Sequence, residues 1–327
     1  MRTLATLVAG TAAVILAMPV QAQDFKPSRP ECIAPAQPGG GFDLTCRIAV
    51  NSFEEAKLLE RPMSVSFMPG GVGAVAYQHM NTQRADDPDV IVAFSGGSLL
   101  NIAQGKFGQD LDENNARWLA SAGADFGVIT VKADSPYDSL QALGEALAAE
   151  PQSLVFGAGG TVGSQDWMKA ALFVQSAGVD PRAIRYVAFE GGGESIAALL
   201  GDSIQIYTGD AAEMKGRIDD GTLKILAVLS EERLPEPFAE IPTAKEQGFD
   251  IEWTIIRGYY MGKDVSDEAY DWWVAKFEEL YATPEFTEVQ SNQGLFPYDS
   301  AGPEFAEDVK TRVGAYRELA RAAGLIE

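Results

Sequence analysis

Apolar and β-branched residues gather in short runs along the chain, separated by longer stretches in which apolar residues return every third or fourth position. The runs are VSFM (65–68), VIVAFS (90–95), GVITVK (127–132), SLVFGA (153–158), IRYVAF (184–189), IQIYTG (204–209) and KILAVL (224–229). Each has the length and residue types of a strand. The intervening segments place Ile48, Ala49, Phe53 and Ala56, or Trp167, Ala171 and Val174, on one helical face. Such alternation predicts βαβ units, an α/β fold with mostly parallel sheets covered by helices on both faces. Beyond residue 262 the pattern becomes helical: 266–281 carries Trp273, Phe277 and Leu280 at helical spacing, and 303–323 repeats a similar stripe. These aromatics read as core.

Six of the strands run into glycine: PGGG (38–41), PGGVG (69–73), SGGS (95–98), GAGGTVGS (157–164), EGGGES (190–195) and YTGD (207–210). In open α/β sheets ligands sit in the crevice beyond the carboxyl ends of the strands, so these loops are expected to converge. Three precede the GVITVK strand and three follow it, which predicts two doubly wound domains sharing a cleft. The segment 120–136 would cross between them and 249–262 would return. The expected division is a leader over 1–22, a discontinuous first domain of 23–126 plus 250–327, and a second domain of 127–249.

Glycine lets backbone N–H groups approach a ligand with no Cβ in the way. Where a helix follows at once, its first N–H groups lack partners and its dipole end is positive, so the corner favours an anion. PGGGFDLT fits, with Asp43 read as the N-cap and the helix running from Leu44. GGTVGSQDW fits as well, with Thr161 and Ser164 adding hydroxyls, Asp166 read as a local cap and the helix running from Gln165. Asp210 has no evident capping role and could hold a water or accept a ligand hydroxyl. Arg47 and Arg257 are side-chain partners for a carboxylate or, equally, members of structural ion pairs.

Catalytic patterns are missing. The only histidine, His79, falls inside a helical segment. No serine stands in a G-x-S-x-G frame, and neither a dinucleotide fingerprint, a Walker A sequence nor metal-site Cys/His spacing occurs. The residues point to binding without chemistry, with no cofactor and no metal. A formal charge of −22 and the lack of a basic stripe argue against nucleic acid. An anionic ligand is not excluded, because charges beyond about 8 Å are largely screened while donors at contact distance are not. Arg2, an apolar run over 4–18 and small residues at 20–22 predict a cleaved secretory leader. Export would let Cys32 and Cys46 form a disulfide, but both could equally be small buried hydrophobes.

CIAPAQPGGGFDLTCR (32–47), PGGVGAVAY, FSGGSLLNIAQGKFG, GAGGTVGSQDWMK, RYVAFEGGGE and IPTAKEQGFD, in this order, closely resemble the solute receptors of tripartite tricarboxylate transporters, the TctC or Bug family. The resemblance implies a monomeric periplasmic binding protein of the type II fold, closing over its ligand and delivering it to a large and a small membrane subunit. It implies that two loops grip one carboxylate: Gly39, Gly40, Gly41, Phe42 and Asp43, and Gly159, Gly160, Thr161, Gly163 and Ser164. The far end of the ligand would meet Ser95, Ser98, Gly192 within the 191–193 loop, Thr208 and Asp210. Phe42 before Asp43, together with SGGSLLN, resembles a citrate-type branch, which makes a tricarboxylate the first expectation. A subunit presenting solute to a membrane histidine kinase is the alternative.

Overall fold

The computed structural model describes residues 25–218 and 220–327 of the 327-residue chain. The expected leader over 1–22 lies outside the described residues. In chain order the first elements are β1 (Glu31–Ala34), α1 (Gly41–Glu55), β2 (Ser64–Phe67), α2 (Ala74–Gln83), β3 (Val90–Ser95), α3 (Gly96–Ala103) and β4 (Ala116–Phe126). Then come β5 (Val128–Lys132), α4 (Leu140–Ala149), β6 (Val155–Gly159), α5 (Gln165–Ser176), β7 (Arg185–Phe189), α6 (Gly192–Leu200), β8 (Ile206–Tyr207), α7 (Ala211–Ile218) and β9 (Leu223–Val228). The chain ends with β10 (Thr254–Gly262), α8 (Asp267–Tyr281), α9 (Pro284–Asn292) and α10 (Gly302–Ala322).

Two five-stranded sheets result, ordered β2-β1-β3-β10-β4 and β7-β6-β8-β5-β9. Strands linked through helices pair in parallel, β1 with β2 and β3, and β6 with β7 and β8. The strands on either side of the crossings are antiparallel: β10 to β3 and β4, and β5 to β8 and β9. The sheets are therefore more mixed than the sequence pattern predicts. A strand that re-enters from the other sheet arrives against the direction of its neighbours, which the hydrophobic runs cannot reveal.

Helices cover both faces of each sheet. On the first, Phe53 of α1 and Trp273, Phe277 and Leu280 of α8 bury one face with Ile91 and Tyr259, while Phe305, Val309 and Val313 of α10 bury the other with Val92 and Phe94. On the second, α4 and α5 cover one face and α6 and α7 the other. The aromatics of α8 thus belong to the core. Two backbone crossings join the sheets side by side. The Gly127 amide donates to the Trp253 carbonyl at 2.9 Å, and Leu229 donates to the Gly127 carbonyl at 2.8 Å. A Cβ at Gly127 would stand 2.8 Å from the Lys169 side chain, so glycine is a packing requirement there.

Cys32 and Cys46 form a disulfide between β1 and α1, with Cα atoms 5.6 Å apart. It ties the first turns of α1 to the sheet, and both residues are also fully buried.

Candidate functional site

The carboxyl ends of β1, β3, β6, β7 and β8 face one another across a cleft between the two sheets. Of the fifteen residues expected to contact the ligand, Gly40, Gly41, Phe42, Ser95, Gly159, Gly160, Ser164, Gly192 and Asp210 line it. Ala36, Val72, Gln165, Asp166, Glu190, Gly191, Glu213 and Arg257 line it as well. The cavity in this half-open cleft measures about 50 Å³. That is room for roughly four waters.

Six expected site residues are committed elsewhere. Gly39 donates its amide to Asp43 Oδ2 at 2.8 Å, and the other oxygen of Asp43 pairs with Arg47 at 2.8 Å. Ser98 completes a capping box with Ser95 at the start of α3 and donates to the Val72 carbonyl. The Gly163 carbonyl accepts from Gln104 across the cleft, and Thr208 donates to the Asp166 carbonyl. Thr161 lines a second opening on the flank, with Asn101, Lys106 and Glu194.

The capping assignments also change. Helix α1 begins at Gly41, not Leu44; its N-cap is Gly40, without a side-chain cap, and Asp43 lies inside the first turn, bonding backward to Gly39. At α5 the cap is Ser164, which accepts from the Trp167 amide. Asp166 accepts instead from the Gly159 amide at 2.9 Å. A cap and an acid two or three positions into the helix lie close together in sequence, and only the backbone path separates them. Helix α6 starts like α1, from Gly191 with no side-chain cap. A Cβ at Gly40 would lie 3.8 Å from the Gly192 amide nitrogen. The two uncapped helix starts thus face each other across the cleft, and their first-turn N–H groups lack intrahelical partners.

Beneath them lies a buried chain of charges. Arg257 of β10 donates to Asp125 of β4 through Nε at 3.0 Å and through a terminal nitrogen at 2.9 Å. The same terminal nitrogen pairs with Asp210 at 2.5 Å. Lys169 of α5 pairs with Asp210 at 2.5 Å and Asp166 at 2.7 Å, and donates to the Gly209 carbonyl. Arg257 is therefore a member of a structural ion network, and Asp210 is its centre. Burial pushes Asp125 and Asp166 up to about 6 in spite of their cationic partners. Asp210, although buried, is held below the usual carboxylate range by Lys169 and Arg257.

Glu213, in the first turn of α7, is the acid that sequence reading misses. One oxygen accepts from the Gly41 amide at 2.8 Å, and the other from the Tyr207 hydroxyl. Burial first, and then the neighbouring Asp210 carboxylate, push it up to about 7. Several glycines make room for these side chains: a Cβ on Gly41 would stand 2.2 Å from the Arg257 guanidinium, and one on Gly192 2.2 Å from the Glu213 carboxylate. Of the expected donors, the amides of Gly39, Gly41, Gly159 and Gly160 already bond to protein acceptors. The sequence shows where backbone is bare, but not which side chain of another element fills the space.

Two sheets joined by paired crossings, with a cleft walled by strand ends and helix starts, define a type II periplasmic binding protein fold. The chain matches the family model of the tripartite tricarboxylate transporter family receptor over residues 50–325, and it belongs to that family. It is 25% identical to the "UPF0065 protein in gbd 5'region" of Cupriavidus necator over 98% of this chain and 96% of that one. Its fold resembles that of the periplasmic binding protein BugD, with a TM-score of 0.81 at 21% identity, covering 92% of this chain and 99% of the other. It also resembles MatC from Rhodopseudomonas palustris, solved with malate, with a TM-score of 0.76 at 17% identity over 89% and 98% of the two chains. An R. palustris protein solved with adipate gives 0.78 at 18% identity over 90% and 97%.

Proposed function

We propose that this protein is an exported, periplasmic solute receptor that captures a small carboxylate in the cleft between its two sheets and passes it to the large and small membrane subunits of a tripartite tricarboxylate transporter. The observation that carries the reading is the pair of uncapped helix starts, α1 at Gly40 and α6 at Gly191, facing each other across the cleft. Their remaining first-turn amides and dipole ends favour a carboxylate between them. On this reading two domains, 23–126 plus 250–327 and 127–249, close over the ligand, a division supported by the separate sheets and the crossings at Gly127 and Trp253.

Malate in MatC and adipate in its R. palustris neighbour support a carboxylate as the class. The citrate-like tricarboxylate implied by the sequence blocks finds less support in this cleft. Its cavity is about 50 Å³, and the acids that line it, Asp166, Glu190, Asp210 and Glu213, outnumber the Arg257 that lines it with them. A mono- or dicarboxylate therefore fits better than a trianion. Thermal unfolding of the mature protein against a panel of mono-, di- and tricarboxylates tests the proposal: a ligand at about 100 times Kd adds about 2.7 kcal/mol of stability. An unfolding midpoint unmoved by every acid in the panel would overturn it.

A further inference from the structure

Resting on that receptor reading, we infer that Val72 sets the length of the acid this protein accepts, by standing as a partition between the cleft and the opening on its flank. Three residues line both spaces: Val72, Gly160 and Glu190. Gly160 has no side chain and Glu190 is exposed, so the half-buried Val72 side chain is the apolar group between them. Its two methyls fill gaps left by glycine on opposite sides of the cleft. A Cβ on Gly97 of α3 would stand 3.3 Å from Cγ1, and one on Gly160, just after β6, 3.1 Å from Cγ2. The cleft cavity holds about 50 Å³ and the flank opening about 320 Å³, so the space open to a ligand depends on this one side chain.

The backbone at Val72 shows how firmly that side chain is placed. Its φ is +54° and its ψ +41°, in the left-handed region, where a β-branched residue is an outlier. Such a conformation persists only where the surroundings over-determine it, and it recurs at ligand clamps. Here Ser98 Oγ donates to the Val72 carbonyl at 3.2 Å and Asn101 Nδ2 to the Gly71 carbonyl at 3.3 Å, both from α3. Gly70, Gly71 and Gly73 carry the chain through positive φ on either side. A glycine at 72 would hold the same turn without strain, so what valine adds is the pair of methyls in the partition. On the flank beyond it, Lys106 has no ion-pair partner among the described residues and donates to the Val162 carbonyl at 3.4 Å. Glu194, on the same wall, is turned back onto the Glu190 amide. An acid long enough to pass the partition would thus find a cation for its far end.

Isothermal titration calorimetry of the mature protein against two linear series, acetate to heptanoate and malonate to pimelate, provides the test, with Val72→Gly and Val72→Ala beside the wild type. The wild type is expected to prefer short members. Both variants should raise the affinity ratio of long to short acids by about tenfold or more, the discrimination that a single methylene commands in an apolar pocket. Val72→Gly should also hold or raise the unfolding midpoint, because glycine adopts left-handed backbone freely, whereas Val72→Ala keeps the strain. If the ratio is the same in all three proteins, or if the wild type already prefers the longest acids, the partition falls and the carboxylate receptor stands. A shift in Val72→Gly without one in Val72→Ala would trace the effect to a loosened loop and overturn the partition too. Failure of both series together with every other carboxylate of the panel would sink the receptor reading itself. Val72→Ala decides the matter if Val72→Gly folds poorly.

Discussion

The Gly41 amide donates to the Glu213 carboxylate at 2.8 Å, joining the first helix of one sheet to an acid presented by the other. A loop whose glycines read as ligand donors is thus partly held by the protein's own carboxylate. The Ala212 amide supports the same contact by donating to Asp125 at 3.0 Å, again from one sheet to the other. Contact between the two sides of the cleft and the charge of Glu213 are therefore coupled.

Stability should fall as pH rises through neutrality. Glu213 lies near 7, and Asp125 and Asp166 near 6, each above its ordinary value. A carboxyl raised in the folded state binds its proton more tightly there than in the unfolded chain. Its contribution is complete below the unfolded pKa and is lost as pH rises through the folded one. Asp210 has the opposite sign and matters only at strongly acidic pH. The unfolding midpoint of ligand-free protein should drop by a few degrees between about pH 5.5 and about pH 8, and Glu213→Gln should flatten the upper part of that slope. A midpoint that climbs over this range would contradict the assignment.

Arg257→Ala should destabilise strongly. The guanidinium is only 2% exposed and neutralises two buried acids, Asp125 and Asp210. Removing one partner of a buried ion pair costs about 3–5 kcal/mol, because the other charge stays buried without compensation. Urea unfolding would measure the loss, and a change below about 1 kcal/mol would show that water replaces the guanidinium.

Adjacent glycines should respond differently. Gly41→Ala drives a methyl into Arg257, whereas Gly40→Ala meets nothing closer than 3.8 Å. The first should lose ligand affinity and stability together, whereas the second should keep its stability and lose affinity, because its methyl faces the Gly192 amide across the cleft where the carboxylate is proposed to sit. At Gly160, φ is +81° and a Cβ would stand 2.8 Å from that of Ser164, so Gly160→Val should distort the second loop as well as obstruct the cleft. Calorimetry paired with thermal unfolding separates loss of binding from loss of fold. Equal behaviour of Gly40→Ala and Gly41→Ala would refute the packing argument.

Reduction of the Cys32–Cys46 disulfide should lower stability by about 3 kcal/mol, the value expected for a closed loop of this size. The effect should be strongest in ligand affinity, because the bridge anchors α1 behind its cleft-facing first turn. Comparing Cys32→Ser/Cys46→Ser with the oxidised protein by urea unfolding and ligand titration checks both parts. Unchanged affinity would mean that packing of α1 suffices.

Much of the architecture is legible from pattern alone. The runs at 90–95 and 127–132 become β3 and β5, and the stripe of Trp273, Phe277 and Leu280 becomes the buried face of α8. Burial imposes periods of 2 and 3.6 on the chain, and those periods survive in the sequence. Nine of the fifteen expected site residues line the cleft because strand-end glycines mark the crevice of such sheets. Asp43, Ser98 and Thr208 look the same in sequence as residues facing a ligand. Their hydrogen bonds to Gly39, Val72 and Asp166 emerge only once the loops have folded.

The sequence by itself determined the α/β class, most of its strands and helices in order, and the convergence of glycine loops on one cleft. Those features follow from local conformation and from the alternation of apolar residues. Only the tertiary structure decided the chemistry within the cleft. It brought Asp125, Asp166, Lys169, Asp210 and Arg257 into one buried network and set Glu213 against Gly41. The reason is distance along the chain. Gly41 and Glu213 are separated by 172 residues, and Asp125 and Arg257 by 132. A charge acquires its role from what surrounds it after burial, and no local pattern records a neighbour that far away.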